Sequence, residues 1–108
     1  MTTPSLGEFE LAVLLAVVRL GEGAYGLGIR REVCVLRRRD YSVGAVYTTL
    51  QRLEEKGVVS SRTSAPLAVR GGRSRREYRV TAVGRRALRD ARRLAARLWS
   101  LNLGSSPA

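Results

Sequence analysis

From Leu11 to Val18 the chain reads LAVLLAVV, eight apolar residues in a row, and this run limits the fold more than any other feature. Phe9, Ala12, Val13, Ala16, Val17 and Leu20 recur at three- and four-residue spacing, as one face of a helix does. Leu11, Leu14, Leu15 and Val18 make a second side apolar as well. A helix that is apolar nearly all round has to be covered on both sides. In a chain of 108 residues, the size of one domain, the chain's own core can supply one cover, and a second subunit is expected to supply the other. The run falls well short of the roughly 20 apolar residues that cross a bilayer, and no basic residue precedes Arg19 to begin a secretion signal. The expected location is therefore the cytoplasm, with no membrane partner.

Glycine and hydroxyl residues divide the rest of the chain. Gly21-Glu22-Gly23 closes the first helix, and Tyr25-Gly26 opens a second, with an apolar stripe of Leu27, Ile29, Val33 and Leu36. Ser42 is a good N-cap for a third helix from Val43 to about Lys56, which Gly57 ends. Val58 to Thr63 and Arg75 to Thr81 have strand composition, and between them lies a basic loop containing Pro66, Gly71 and Gly72. Thr81 then caps a long last helix from Ala82 to about Leu103. The expected order is helix, helix, helix, strand, strand, helix: a mainly α chain of the α+β kind.

Several functions are excluded by what the chain lacks. There is no histidine, so the commonest general base and every Ser-His or Cys-His nucleophile are missing, and the nine carboxylates are scattered. An enzyme is not expected. One cysteine, Cys34, makes no intramolecular disulfide and no structural zinc site. Set among Val33, Val35 and Leu36, it is read as a small buried residue in preference to a redox sensor. No metal or cofactor is expected.

Charge points to a polyanion. The net charge is +11, and it is unevenly placed. Residues 1–60 hold eight basic and seven acidic side chains, whereas residues 61–108 hold twelve basic and two acidic. Four arginines, Arg70, Arg73, Arg75 and Arg76, surround the glycine pair of the hairpin loop, where guanidinium forks suit phosphate contacts. On the third helix, Val46, Leu50 and Leu53 share one face, while Gly44, Ala45, Thr48, Gln51 and Arg52 lie opposite. Short side chains at its start let the backbone approach base edges, and Gln51 and Arg52 can reach adenine, guanine or phosphate. Three helices and a basic hairpin in this order make a winged helix-turn-helix, whose third helix enters the major groove of double-stranded DNA. The candidate contacts are thus Ser42, Gly44, Ala45, Thr48, Gln51 and Arg52 on the helix, and Arg70, Arg73, Arg75, Arg76 and Tyr78 on the wing. The plainer alternative for both sets is a solvated polar surface, and the rival function is a winged-helix protein-interaction module that uses its hairpin on an acidic partner.

Three blocks carry a more specific resemblance: Tyr25-Gly26, the stretch SVGAVYTTLQRLEEKGVV from Ser42 to Val59, and Gly72-Arg73 leading to EYRVTAVG from Glu77 to Gly84. In this order they resemble the PadR family of bacterial transcriptional regulators over about residues 6–99. The resemblance implies a homodimer, usually a repressor, at times released by a small aromatic or drug-like effector. It makes Val43 to Lys56 the recognition helix and puts Tyr78 where the family holds an aromatic near the DNA backbone. Many members have a proline where this chain has Thr48, and a large C-terminal helical domain where this chain has one helix, as in the compact subgroup. Tyr47, near the edge of the apolar face, is read as packing in preference to touching phosphate.

The domain reading is a DNA-binding unit at residues 6–81 and a dimerisation helix at residues 82–103. On that helix Ala87, Ala91, Leu94, Leu98 and Leu101 alternate four- and three-residue steps, flanked by Leu88 and Ala95, which is a seam for a helical partner. The expected dimer interface is Val13, Val17, Leu88, Ala91, Leu94, Ala95, Leu98 and Leu101. The remaining faces carry Arg85, Arg86, Arg89, Arg92, Arg93 and Arg97, read as a solvated surface; the alternatives are that those near its start help attract DNA and that one or two meet Glu8 or Glu10 of a partner. Trp99 is read as a core or interface residue; the alternative, from compact relatives, is an effector pocket for a small aromatic molecule.

Overall fold

The apolar run of the first helix, α1 (Glu8–Leu20), divides in two. Val13, Leu14, Ala16 and Val17 point into the chain's own core, whereas Leu15 and Val18 remain exposed. A computed structural model describes residues 3–63 and 75–103. After α1 come α2 (Gly26–Arg37), α3 (Val43–Glu55), β1 (Val59–Thr63), β2 (Arg76–Val80) and α4 (Ala82–Leu103), which is the winged-helix order. The expected interface role of Val13 and Val17 is corrected here. Both are sealed among Leu14, Ile29, Val33, Leu50 and Leu53, so they hold the monomer together and offer a partner nothing. The outward side of α1 belongs to Leu11, Leu15 and Val18, because Leu14 turns inward with Val13 and Val17.

Ile29 and Val33 carry α2 into that core, while Leu27 and Leu36 of the expected stripe stay outside. Cys34 is half-buried, a correction to the buried reading, because it stands about 100° round the helix from the inward Val33. Arg38 ends α2 in the left-handed region at φ 52°. The turn that follows is clamped: Arg30 Nε donates to the Tyr41 carbonyl at 2.7 Å, and the Tyr41 ring lies 4.7 Å from that of Phe9. This clamp sets the direction in which α3 starts.

The two strands pair antiparallel, with Val59 opposite Val80 and Thr63 opposite Arg76. Thr81 caps α4 as expected, its Oγ1 accepting from Gly84 N at 3.1 Å and donating to the Gly57 carbonyl at 2.6 Å. Gly84 lets α4 lie directly against the strand: a Cβ there would overlap the Val58 carbonyl oxygen and sit 2.7 Å from Val80 Cγ2. Val83, Ala87 and Leu88 then pack on the core. No helix among the described residues is long and apolar enough to cross a membrane.

Candidate nucleic-acid interface

Helix α3 has two faces of opposite character. Val46, Thr49, Leu50 and Leu53 are buried, and the Thr49 hydroxyl is satisfied inside by donating to the Ala45 carbonyl at 2.9 Å. Ser42 Oγ accepts from Ala45 N at 3.0 Å, the N-cap expected of it, leaving its hydroxyl proton for a partner. Ser42, Gly44, Ala45, Thr48, Gln51 and Arg52 are all exposed, and at about 100° per residue the last five share the side opposite the core. With no bulky side chain near its start, this surface can approach closely.

Beside it stands the hairpin. Arg75 and Arg76 are exposed where β2 begins, and Arg76 Nη1 reaches Ser61 Oγ only at 3.5 Å. Arg70 and Arg73 lie outside the described residues. Tyr78 does not belong to the exposed wing. It is 4% exposed and turned into the core, because alternation along β2 sends it to the same face as Val80 while Arg79 points out. Burial also pushes its hydroxyl above the ordinary tyrosine pKa. Its expected place near the DNA backbone is corrected to a packing role behind α3 and the sheet.

Three contacts of this surface join residues distant along the chain. Tyr47 stays 41% exposed, yet its ring lies across Gly26 at the start of α2; a Cβ on Gly26 would overlap its hydroxyl and Cζ. The packing reading of Tyr47 describes that contact, and the Tyr25-Gly26 pair was its only trace in the sequence. Arg75 rests on the Tyr25 ring at 5.4 Å, a cation–π contact that joins wing to α2. Glu77, read only as part of a motif, is 8% exposed and anchors the wing: Oε2 accepts from Gly23 N at 2.9 Å and Oε1 from Arg62 Nε at 3.0 Å. The Gly23 amide, and then Arg62, hold its carboxyl below the ordinary glutamate pKa. Glu10 is lowered as well: burial pushes it up, but hydrogen bonds from Lys56 and Gly7 N, with the charges of Lys56 and Arg52, outweigh this.

On the far side, a groove of about 410 Å³ runs between α1 and α4, lined by Leu11, Leu15, Leu88, Ala91 and Ala95 with Arg89 and Arg92 at its rim. Leu94 (53% exposed), Leu98 (49%) and Leu101 continue the apolar seam past it, and Ala95 is exposed too. Trp99 is 70% exposed, so the core part of its reading is corrected: it stands about 120° round α4 from Ala87, the residue that packs on the core. Among the described residues, no three His, Cys, Asp or Glu side chains are placed to hold a metal.

Comparison with curated protein sequences finds no match. Solved structures do match. An hsRosR-S1 complex, whose protein is RosR of H. salinarum, has a TM-score of 0.69 at 26% identity, covering 88% of this chain and 77% of that one. A PadR family regulator from Eggerthella lenta has a TM-score of 0.63 at 27% identity, covering 80% and 72%. A PadR family regulator from Clostridium difficile, at 23% identity, shares the fold with a TM-score of 0.66 over 90% and 99% of the two chains. The sequence matches the transcriptional regulator PadR-like family over residues 14–90, from the middle of α1 into α4. This chain belongs to that family of DNA-binding transcriptional regulators, and it is not an enzyme.

Proposed function

We propose that the chain acts as a homodimeric repressor that occupies a pseudo-palindromic promoter site. The observation that carries the reading is the division of α3: an anchored apolar face behind, and six exposed small or hydrogen-bonding residues in front. Gly44, Ala45, Thr48, Gln51 and Arg52 read base edges, and Arg75 and Arg76, with Arg70 and Arg73 of the loop, grip phosphate. Dimerisation rests on the apolar groove between α1 and α4 and on Leu94, Leu98 and Leu101 beyond it. Apolar surface left in water forgoes about 25 cal/mol per Å² of stabilisation, and a second copy of α4 would cover the seam. In this arrangement residues 6–81 bind DNA and residues 82–103 join the subunits.

The direct test is selection of bound duplexes from random DNA by the full chain. Two inverted half-sites about one helical turn (34–36 Å) apart are expected. A single unpaired site, or enrichment without a consensus, would overturn the reading. An effector site for a small aromatic molecule is a second reading, carried only by the exposure of Trp99. Saturable quenching of its fluorescence by a planar compound, coupled to loss of DNA, would establish it.

A further inference from the structure

The arginines of α4 form one continuous stripe. At about 100° per residue, Arg85, Arg86, Arg89, Arg92, Arg93 and Arg97 all fall within an arc of about 140°. The opposite arc holds Val83, Ala87, Leu88, Ala91, Leu94, Ala95, Leu98 and Leu101, and its first part is the side packed on the core. All six arginines are exposed, and among the described residues none forms an ion pair or side-chain hydrogen bond. Basic residues elsewhere do find carboxylates: Arg19 meets Glu32, Arg37 meets Glu8, Lys56 meets Glu10 and Arg62 meets Glu77. The one acid on α4, Asp90, accepts from Thr3 Oγ1 at 2.7 Å.

We infer that this stripe is a second polyanion-binding surface, which takes the phosphates of a second DNA duplex while α3 and the wing hold the first. Charge complementarity carries the choice of occupant. Arg85, Arg89, Arg93 and Arg97 step along the helix about 6 Å at a time, so the stripe is about 18 Å long. That suits a row of phosphates, and guanidinium groups engage phosphate oxygens in pairs. From Arg85 to Arg97 the arc holds only Ala96 between the arginines, so no apolar side chain interrupts the row; Leu103 enters the arc only in the last turn, and Trp99 lies just past its edge. The stripe starts beside β2, where Arg85 lies near Arg79 and Val80, and runs on along α4, a different element from the recognition helix. α4 packs on α1 and β2 through its apolar side, whereas α3 packs on α1, α2 and β1. One protein could therefore bridge two DNA segments.

The experiment immobilises the full chain on its selected duplex and adds a fluorescent 30-base-pair duplex of unrelated sequence. Saturable capture of the second duplex is expected, weakening steeply as salt rises. The triple variant Arg86→Gln, Arg93→Gln, Arg97→Gln, which exchanges good helix formers, should keep its hold on the first duplex and lose the second at least tenfold. Its salt slope for the second duplex should fall by about 2 to 3. No capture at low salt, or equal capture by the variant, overturns the inference. So does a parallel loss of both duplexes, which would make the stripe part of the first surface. Capture of phosphatidylglycerol vesicles without capture of duplex would refute it in favour of a membrane. Arg97→Glu alone, on an exposed turn beyond the core, gives the same comparison should the triple variant fail to fold.

Discussion

Replacing Gly26 by alanine tests how the recognition helix is seated. The new methyl group would occupy the place of the Tyr47 ring, overlapping its hydroxyl and Cζ and lying 2.6 Å from Cε1. Two effects oppose each other. Alanine in a helix gains about 0.5–1 kcal/mol over glycine, and an overlap of this kind costs about 1–3 kcal/mol. In the native background Gly26→Ala should therefore destabilise by about 1 kcal/mol, lowering Tm by about 4–8 °C for a domain of this size. In a Tyr47→Ala background the obstruction is gone, and the same substitution should stabilise. The difference is a coupling of about 1–3 kcal/mol whose sign is fixed by the geometry. Tyr47→Phe removes only the hydroxyl and should fall between. Urea midpoints of Gly26 and Gly26→Ala in each of the three backgrounds measure this, at one protein concentration because association shifts apparent stability. If Gly26→Ala is equally stabilising with and without the tyrosine ring, the ring does not lie across Gly26 and the reasoning fails.

Three further outcomes follow from the same structure. Glu77 has its folded pKa held below the ordinary value of about 4.3, so its contribution is complete above that value and fades as pH falls through the lowered pKa. The stability gap between native protein and Glu77→Gln should be constant from neutral pH to about 5 and close below about 4.3; a gap independent of pH in acid titration would refute the anchor. Gln51→Ala should change the ranking of selected sequences, while Arg76→Gln should weaken all of them and lower the salt slope by about 1. Equal effects on all sequences from both changes would end the division of labour between helix and wing. Leu94→Arg, at an exposed position, should leave helix content intact in circular dichroism but give a monomer by light scattering, whereas an unchanged mass would remove α4 from the interface.

Much of this chain was legible before its structure. Ser42, Thr81, Gly21 and Gly57 lie where helices start or stop, because caps act through hydrogen bonds a few residues away and leave their mark in short stretches of sequence. The outward residues of α3 were equally legible, since a helix with Val46, Leu50 and Leu53 inside must turn Thr48 and Gln51 out. A surface of this kind needs only the period of one element.

What failed concerned faces that look alike in sequence. Periodicity marked two apolar sides of α1 without saying which would be covered from within; packing of α2 and α3 took Val13 and Val17 and left Leu11, Leu15 and Val18 outward. Tyr78 and Glu77 differ by one position on a strand, and only the sheet's placement against the core sent the tyrosine inside and made the glutamate an anchor for Arg62 and Gly23. The apolar run at Leu11 to Val18 thus required, from sequence alone, a helix covered on two sides. Which of its residues the chain's own core would cover was decided by tertiary structure, because burial depends on neighbours distant along the chain, whereas helix formation and capping depend on neighbours within a turn.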